Sequence, residues 1–312
     1  MTADGAPTHL ESFDSVRLID PQERLGPNWT RLDENSLLVR ATSEEKRSFE
    51  RLLAQRIPPG PRYLDLVEEI WMRGYETFVV GGTVRDVLSK VETKDVDLVT
   101  TMPLVRAHSI VRDMYGSPPT LEEMAMHHGH IKLGGGGRSR TRATSYIDFC
   151  VFKDRHVGTA QALFGDSFTA DTENRDFACN SVYYDPFHAV LIDPTGQGIR
   201  DAEEQKLRIV CSNERRNSRQ QGQIAIRYMK FRHRGFAACD GCAQQLREDY
   251  LPGLGAMDDL QRVSYLNRQV FKRLDKSSKL DAFRMIEAEF TSLDAKDTWD
   301  QLVQPHREEL LG

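Results

Sequence analysis

The chain has 312 residues, 39% of them hydrophobic and 29% charged, with a formal net charge of −5 and five cysteines. That length allows a sizeable core and about two domains, five cysteines are too few for a disulfide framework, and no apolar run reaches membrane-spanning length. The opening Met1-Thr-Ala-Asp-Gly has neither the basic start nor the apolar stretch of a secretory signal, so a cytoplasmic location without membrane association is expected.

Residues 1–42 have weak periodicity and several Pro, Gly and Asp residues, and read as an extended, partly ordered arm. Ser43-Glu-Glu-Lys opens a short helix that Pro58-Pro59-Gly60 should end. Tyr63 to Arg73 has amphipathic helical spacing, with Gly74 at its C-terminal cap. The expected division is 1–60 for arm and helix, 61–211 for a domain mixing helices and strands, and 212–312 for a helical domain.

The segment Phe78-Val-Val-Gly-Gly-Thr-Val-Arg-Asp86 follows. Phe78 to Val80 reads as a strand. Gly81 and Gly82 lack a Cβ, so the backbone there can approach a ligand closely. Thr83 is expected to cap the next helix, with Arg85 on its first turn. Amides, a helix N-terminus and a guanidinium together suit a triphosphate, and Asp86 is placed to orient Arg85 or the turn. In Lys94-Asp-Val-Asp97, strand alternation sends Asp95 and Asp97 to one face. Two carboxylates on one face make a hard-oxygen site for magnesium, Mg2+. A lone Gly-Gly turn is usually just a turn, and a lone Asp-x-Asp is usually surface. Strand, glycine turn, helix and Asp-x-Asp in succession are far more specific.

Further strands are expected near 130–133, 145–152, 181–185 and 189–192, and helices near 84–89, 103–114 and 172–180. Gly134-Gly-Gly-Gly-Arg-Ser-Arg-Thr-Arg142 cannot pack a core and reads as a basic loop. His127-His128-Gly129-His130 lacks helical ligand spacing and is read as local structure. Asp148, flanked by apolar residues on a strand expected beside 95–100, is the candidate third carboxylate. Arg175 and Asp176 fall on a helix start capped by Asp171 or Thr172, and Asn180 shares the face of Asp176.

From about Asn213 the pattern is helical to the end, near 214–235, 242–250, 258–273, 278–290 and 296–304. Lys206 to Arg234 holds nine basic residues against one acidic, in a chain whose overall charge is negative. Arg215, Arg216, Arg219 and Lys230 are therefore candidates for contact with an RNA backbone. Cys239-Asp-Gly-Cys242 lacks the four ligands of a structural zinc site and reads as two ordinary thiols.

These motifs resemble the head domain of the class II tRNA nucleotidyltransferases and bacterial poly(A) polymerases, within the DNA polymerase β superfamily. The family pattern GG-x-VRD, a spacer, then K-D-x-D-[IL]-x-T is met by Gly81, Gly82, Val84, Arg85, Asp86, Lys94, Asp95, Asp97, Leu98 and Thr100. Asn174-Arg-Asp-Phe-Ala-Cys-Asn-Ser181 is similar to its second signature, and Leu191-Ile-Asp-Pro-Thr-Gly196 to its Ile-Asp-Pro-x-x-Gly turn. The resemblance covers roughly 62–236.

It implies an α/β (α+β) nucleotidyltransferase head with a mixed sheet, followed by an all-α C-terminal region. The implied activity is metal-dependent transfer of NMP from an NTP, ATP or CTP, to an RNA 3′ end. Catalytic residues would be Asp95, Asp97 and Asp148, with the metal on Asp95 and Asp97. The nucleotide would meet Gly81, Gly82, Arg85, Asp86, Arg175, Asp176, Asn180 and Arg227. The family's acid pair and first arginine for choosing the base fall on Gln220, Gln221 and Ile224 here, and only Arg227 and Lys230 remain. A small-molecule or protein acceptor, or an inactive nucleotide- or RNA-binding relative, are the alternatives.

Overall fold

The computed structural model describes residues 32, 35–56, 60–93, 96–115, 129–133, 147–157, 161–165, 167–211 and 216–312. The chain divides into two compact units, Met1–Glu204 and Gln205–Gly312.

The first unit is built on a seven-stranded mixed sheet, as expected for an α+β head. Its strands are β1 (Leu37–Arg40), β2 (Thr77–Val80), β3 (Val96–Thr100), β4 (His130–Leu133), β5 (Ile147–Val151), β8 (Tyr183–Asp185) and β9 (Val190–Asp193), in the order β1-β9-β8-β2-β3-β5-β4. Only β3 and β5 run parallel; the other neighbours are antiparallel. A separate hairpin joins β6 (Lys153–Val157) to β7 (Gln161–Phe164). It carries no turn signal strong enough to be expected from sequence. β1 is a second departure: part of the expected arm is an edge strand, in register with β9 from Leu37–Asp193 to Arg40–Val190.

The helices of this unit are α1 (Ser43–Leu53), α2 (Tyr63–Met72), α3 (Gly82–Leu88), α4 (Leu104–Tyr115), α5 (Phe168–Glu173) and α6 (Gly198–Glu203). α1 starts on a capping box: Thr42 Oγ1 accepts from the Glu45 amide and Glu45 returns a carboxylate to the Thr42 amide. It stops at Leu53, ahead of the proline pair. β2 is buried along its whole length, so both faces of the sheet are covered there. One face carries an aromatic cluster of Phe78, Phe152, Phe168 and Tyr183, with Phe78 and Phe168 centroids 5.1 Å apart and Phe152 stacked on Tyr183 at 5.6 Å. Phe49 of α1 stacks on Tyr184 at 3.9 Å.

The second unit is helical: α7 (Ser218–His233), α8 (Cys242–Gln245), α9 (Asp259–Leu266), α10 (Lys276–Ser292), α11 (Lys296–Leu302) and α12 (Arg307–Leu311), with one short parallel pair, β10 (Lys206–Leu207) and β11 (Ala237–Ala238). α7 is the axis of the unit. At Gly222 it comes so close to the turn at Leu251–Leu254 that an added Cβ would lie 2.6 Å from the Gly253 carbonyl oxygen. Glu289 of α10 ties α7 down, accepting from Tyr228 Oη at 2.8 Å and Arg232 Nε at 2.9 Å. Among the described residues, no helix is long and apolar enough to cross a membrane.

Candidate active site

β2 ends at the glycine turn. Gly81 has φ +70 and ψ −136, a conformation that favours glycine, and a Cβ there would sit 3.1 Å from Asp97 Oδ2. The turn and the β3 carboxylate are therefore fitted to each other. The Gly82 amide donates to Asp97 Oδ2 at 3.2 Å, and the Asp97 amide donates to Thr83 Oγ1 at 2.9 Å. Thr83 was expected to cap α3. Gly81 is the cap residue instead, with no side-chain cap bond, and the Thr83 hydroxyl pins β3 to the start of α3. Asp148 on β5 is the register partner of Asp97 in the parallel pairing. Asp95 lies outside the described residues, as do His127, His128, the basic loop 134–142 and Arg215. Among the described residues, no group of three or more His, Cys, Asp or Glu side chains converges on a metal-sized site.

Beside the turn runs a network of four of the sequence candidates. Arg85, only 5% exposed, donates through Nε and Nη2 to Asp86 Oδ1 at 2.8 and 2.6 Å, and through Nη1 to Asn180 Oδ1 at 2.6 Å. Asn180 Nδ2 donates to Asp176 Oδ1 at 2.9 Å, which also accepts from the Phe177 amide at 2.9 Å. The expectation of a helix over 172–180 fails. α5 is capped earlier, by Ser167, and ends at Glu173; Arg175 and Asp176 sit in the link to a 3-10 turn at Ala178–Asn180. Asp176 and Asn180 meet all the same, because the short turn closes the same distance. Cys179 within that turn is buried, and burial raises its thiol pKa.

Arg175 points to a buried carboxylate. Its Nη2 and Nε donate to Asp171 Oδ2 at 2.6 and 2.9 Å, Nε also reaches Tyr183 Oη at 3.1 Å, and Tyr183 Oη donates to Asp171 Oδ2 at 2.7 Å. Burial opposes the arginine's charge, but Asp171 and Tyr183 outweigh it and hold its pKa above the ordinary value. The aromatic cluster supports this bond set through Tyr183, over whose ring Arg175 lies at 5.0 Å. Sequence reasoning missed a second chain: Cys150 Sγ lies 3.0 Å from His130 Nδ1, and His130 Nε2 lies 3.0 Å from Lys153 Nζ. The β4–β5 register sets His130 opposite Cys150, and Lys153 reaches the same imidazole from the start of β6.

A further turn fixes the far end of the head. Asp193, fully buried, accepts from the Thr195 and Ile199 amides, each at 3.0 Å. Burial nevertheless raises its pKa.

The family model described as the poly(A) polymerase head domain matches residues 77–208. This stretch is therefore similar to that head domain over less than half of the chain. Poly(A) polymerase I of Haemophilus influenzae is 26% identical to this chain in an alignment of 188 residues that covers 54% of this chain and 39% of the relative. The CCA-adding enzyme of Geobacillus thermodenitrificans is 28% identical over 153 residues, 49% of this chain and 35% of the relative. The matched part thus spans well under half the length of these relatives. A Bacillus stearothermophilus CCA-adding enzyme in complex with CTP superposes with a TM-score of 0.51 at 22% identity, over 66% of this chain and 47% of the other. A Thermotoga maritima CCA-adding enzyme complexed with tRNA gives 0.55 at 18% identity, over 79% and 54%. These likenesses show the fold.

In the second unit, α7 departs from the base-choosing pattern of the resembled family. Gln220 closes a capping box with Asn217: its amide donates to Asn217 Oδ1 at 2.9 Å and its Oε1 accepts from the Asn217 amide at 3.1 Å. Ile224 is 4% exposed. Lys230 donates to Gln269 Oε1 at 3.1 Å, so its ammonium has a partner within the unit. Arg227 and the partly exposed Arg216 are also in this unit, and Arg219 is exposed on the first turn of α7.

Proposed function

We propose that the protein is a magnesium-dependent nucleotidyltransferase that moves NMP from ATP or CTP to the 3′ hydroxyl of an RNA. The observation that carries this reading is Asp97, fixed between the Gly82 amide and the Thr83 hydroxyl at the mouth of the glycine turn, with Asp148 as its cross-strand partner. In the reaction, the acceptor oxygen attacks the α-phosphorus in line. A new phosphodiester bond forms, the bond to the β-phosphate oxygen breaks, pyrophosphate leaves and the hydroxyl proton goes to solvent. Asp95 and Asp97 would hold the metal, which when bound neutralises charge on the reacting oxygens, and Asp148 completes the acidic set. Gly81 and Gly82 allow close approach of the triphosphate. Arg85, Asp86, Asp176 and Asn180 act as one bonded unit toward phosphates and sugar, with Arg175 as a further cationic contact. The curated relatives are named poly(A) polymerases and CCA-adding enzymes, and solved relatives are complexes with CTP and tRNA, which supports both the nucleotide and the acceptor. Arg215, Arg216, Arg219 and Lys230 are assigned to the RNA backbone, and the cytoplasm is the expected location.

A second reading keeps the chemistry and changes the acceptor to a small hydroxyl compound. It is favoured by the use of Gln220 as a cap and the burial of Ile224, which leave the base-selecting positions without a charged pair. The purified chain, incubated with each α-labelled NTP, magnesium and RNA bearing either a free or a phosphate-blocked 3′ end, decides between them. Label confined to the free-ended RNA supports the RNA acceptor. Label in neither RNA, with NTP consumed on added small alcohols, moves the function to the second reading.

A further inference from the structure

The second unit has a groove that the transfer chemistry leaves unused. It encloses about 250 Å3 between α7 and α9, lined by Arg219, Gln223, Gln261, Ser264, Tyr265 and Arg268. No carboxylate lines it. The Arg268 guanidinium lies over the Tyr265 ring, 4.8 Å from its centroid, in a cation–π pair.

Other arginines of this unit are consumed internally. Arg232 is paired with Glu289, and Arg262, 4% exposed, donates to Asp259 and to the Leu254, Met257 and Leu302 carbonyls. Arg219 and Arg268 have no ion pair among the described residues, and both are exposed. Two uncompensated guanidinia on one groove stay only where solvent or an anion meets them. Gln223 and Gln261 add amides that both donate and accept, which suits base edges, whereas an acidic peptide would need only the cations. The exposed rim residue Leu260, at 77%, gives an apolar edge against which a base or ribose can lie.

We infer that this groove seats one nucleotide of single-stranded RNA, with its phosphodiester between Arg219 and Arg268 and its base against the Tyr265–Arg268 pair. The inference rests on the RNA-acceptor reading above. It adds a site built on Arg219 and Gln223, four residues apart on one stripe of α7, rather than on the Gln220, Gln221 and Ile224 positions.

The test is fluorescence anisotropy with the full chain and a labelled eight-nucleotide RNA, at 50 and 200 mM KCl. Arg219→Gln and Arg268→Gln should each weaken binding by about fivefold to tenfold and lower the log–log salt slope by about 0.7, the release expected from one single-strand phosphate. Tyr265→Leu should weaken binding by about tenfold with the slope unchanged, because stacking carries no counterion. Arg268→Lys should keep the slope and lose part of the affinity, and unfolding midpoints like wild type would show that the fold is intact. Wild-type affinity and slope in Arg268→Gln and Tyr265→Leu would overturn the groove while leaving RNA as acceptor. No binding by the wild type at either salt would overturn both. Preference for a labelled poly-glutamate peptide, lost in Arg268→Gln, would also overturn it and reassign the groove to an acidic protein partner.

Discussion

Arg85 Nη1 donates to Asn180 Oδ1 at 2.6 Å across 95 residues of sequence. This bond joins the helix after the glycine turn to the 3-10 turn of the second motif. It makes Asp86, Arg85, Asn180 and Asp176 a single bonded assembly, buried except at the half-buried Asp86, rather than four separate ligand contacts.

Arg85→Ala should therefore act on stability as well as on nucleotide binding. It leaves the Asn180 carbonyl and the Asp86 carboxylate without their guanidinium, at a cost of about 3 kcal/mol. Urea unfolding of wild type and variant measures this. A loss below about 1 kcal/mol would mean the network relaxes around the vacancy.

Gly81→Ala tests the fit between the turn and β3. The positive φ costs about 1–2 kcal/mol for a residue with a Cβ. The 3.1 Å approach of that Cβ to Asp97 Oδ2 should displace the carboxylate and lower transfer by at least about tenfold. Unchanged activity with reduced stability would show that Asp97 tolerates the shift.

Gln220→Ala separates a cap from a base selector. Loss of the capping box should cost about 1 kcal/mol of stability in the helical unit. The ratio of ATP to CTP incorporated should stay as in the wild type, measured by competition between the two nucleotides. A changed ratio would make Gln220 part of base choice.

Much of the head was legible because its elements announce themselves locally. The apolar run at Thr77–Val80, the glycine pair and the Asp-x-Asp alternation lie within about two dozen residues, and each has one plausible backbone reading. What stayed hidden depends on distant pairing. Leu37–Arg40 is a strand only because β9 offers an edge to it. Thr83 has the chemistry of a cap, and the tertiary position of the Asp97 amide decides against that role. The Cys150–His130 contact follows from the β4–β5 register, and Lys153 joins it from β6. The Asn217–Gln220 box was readable from the Asn-x-x-Gln spacing, at a position where the resembled family has an acid.

Magnesium-dependent transfer by wild type and Asp97→Asn, in single turnover with α-labelled ATP or CTP and a free-ended RNA, tests the central claim most directly. Asn keeps the side-chain shape, so the unfolding midpoint should change little, while the lost charge should cut the transfer rate by at least about a hundredfold. Equal rates in the two proteins, or no transfer by the wild type with any nucleotide, would contradict the assignment of Asp97 to the reaction.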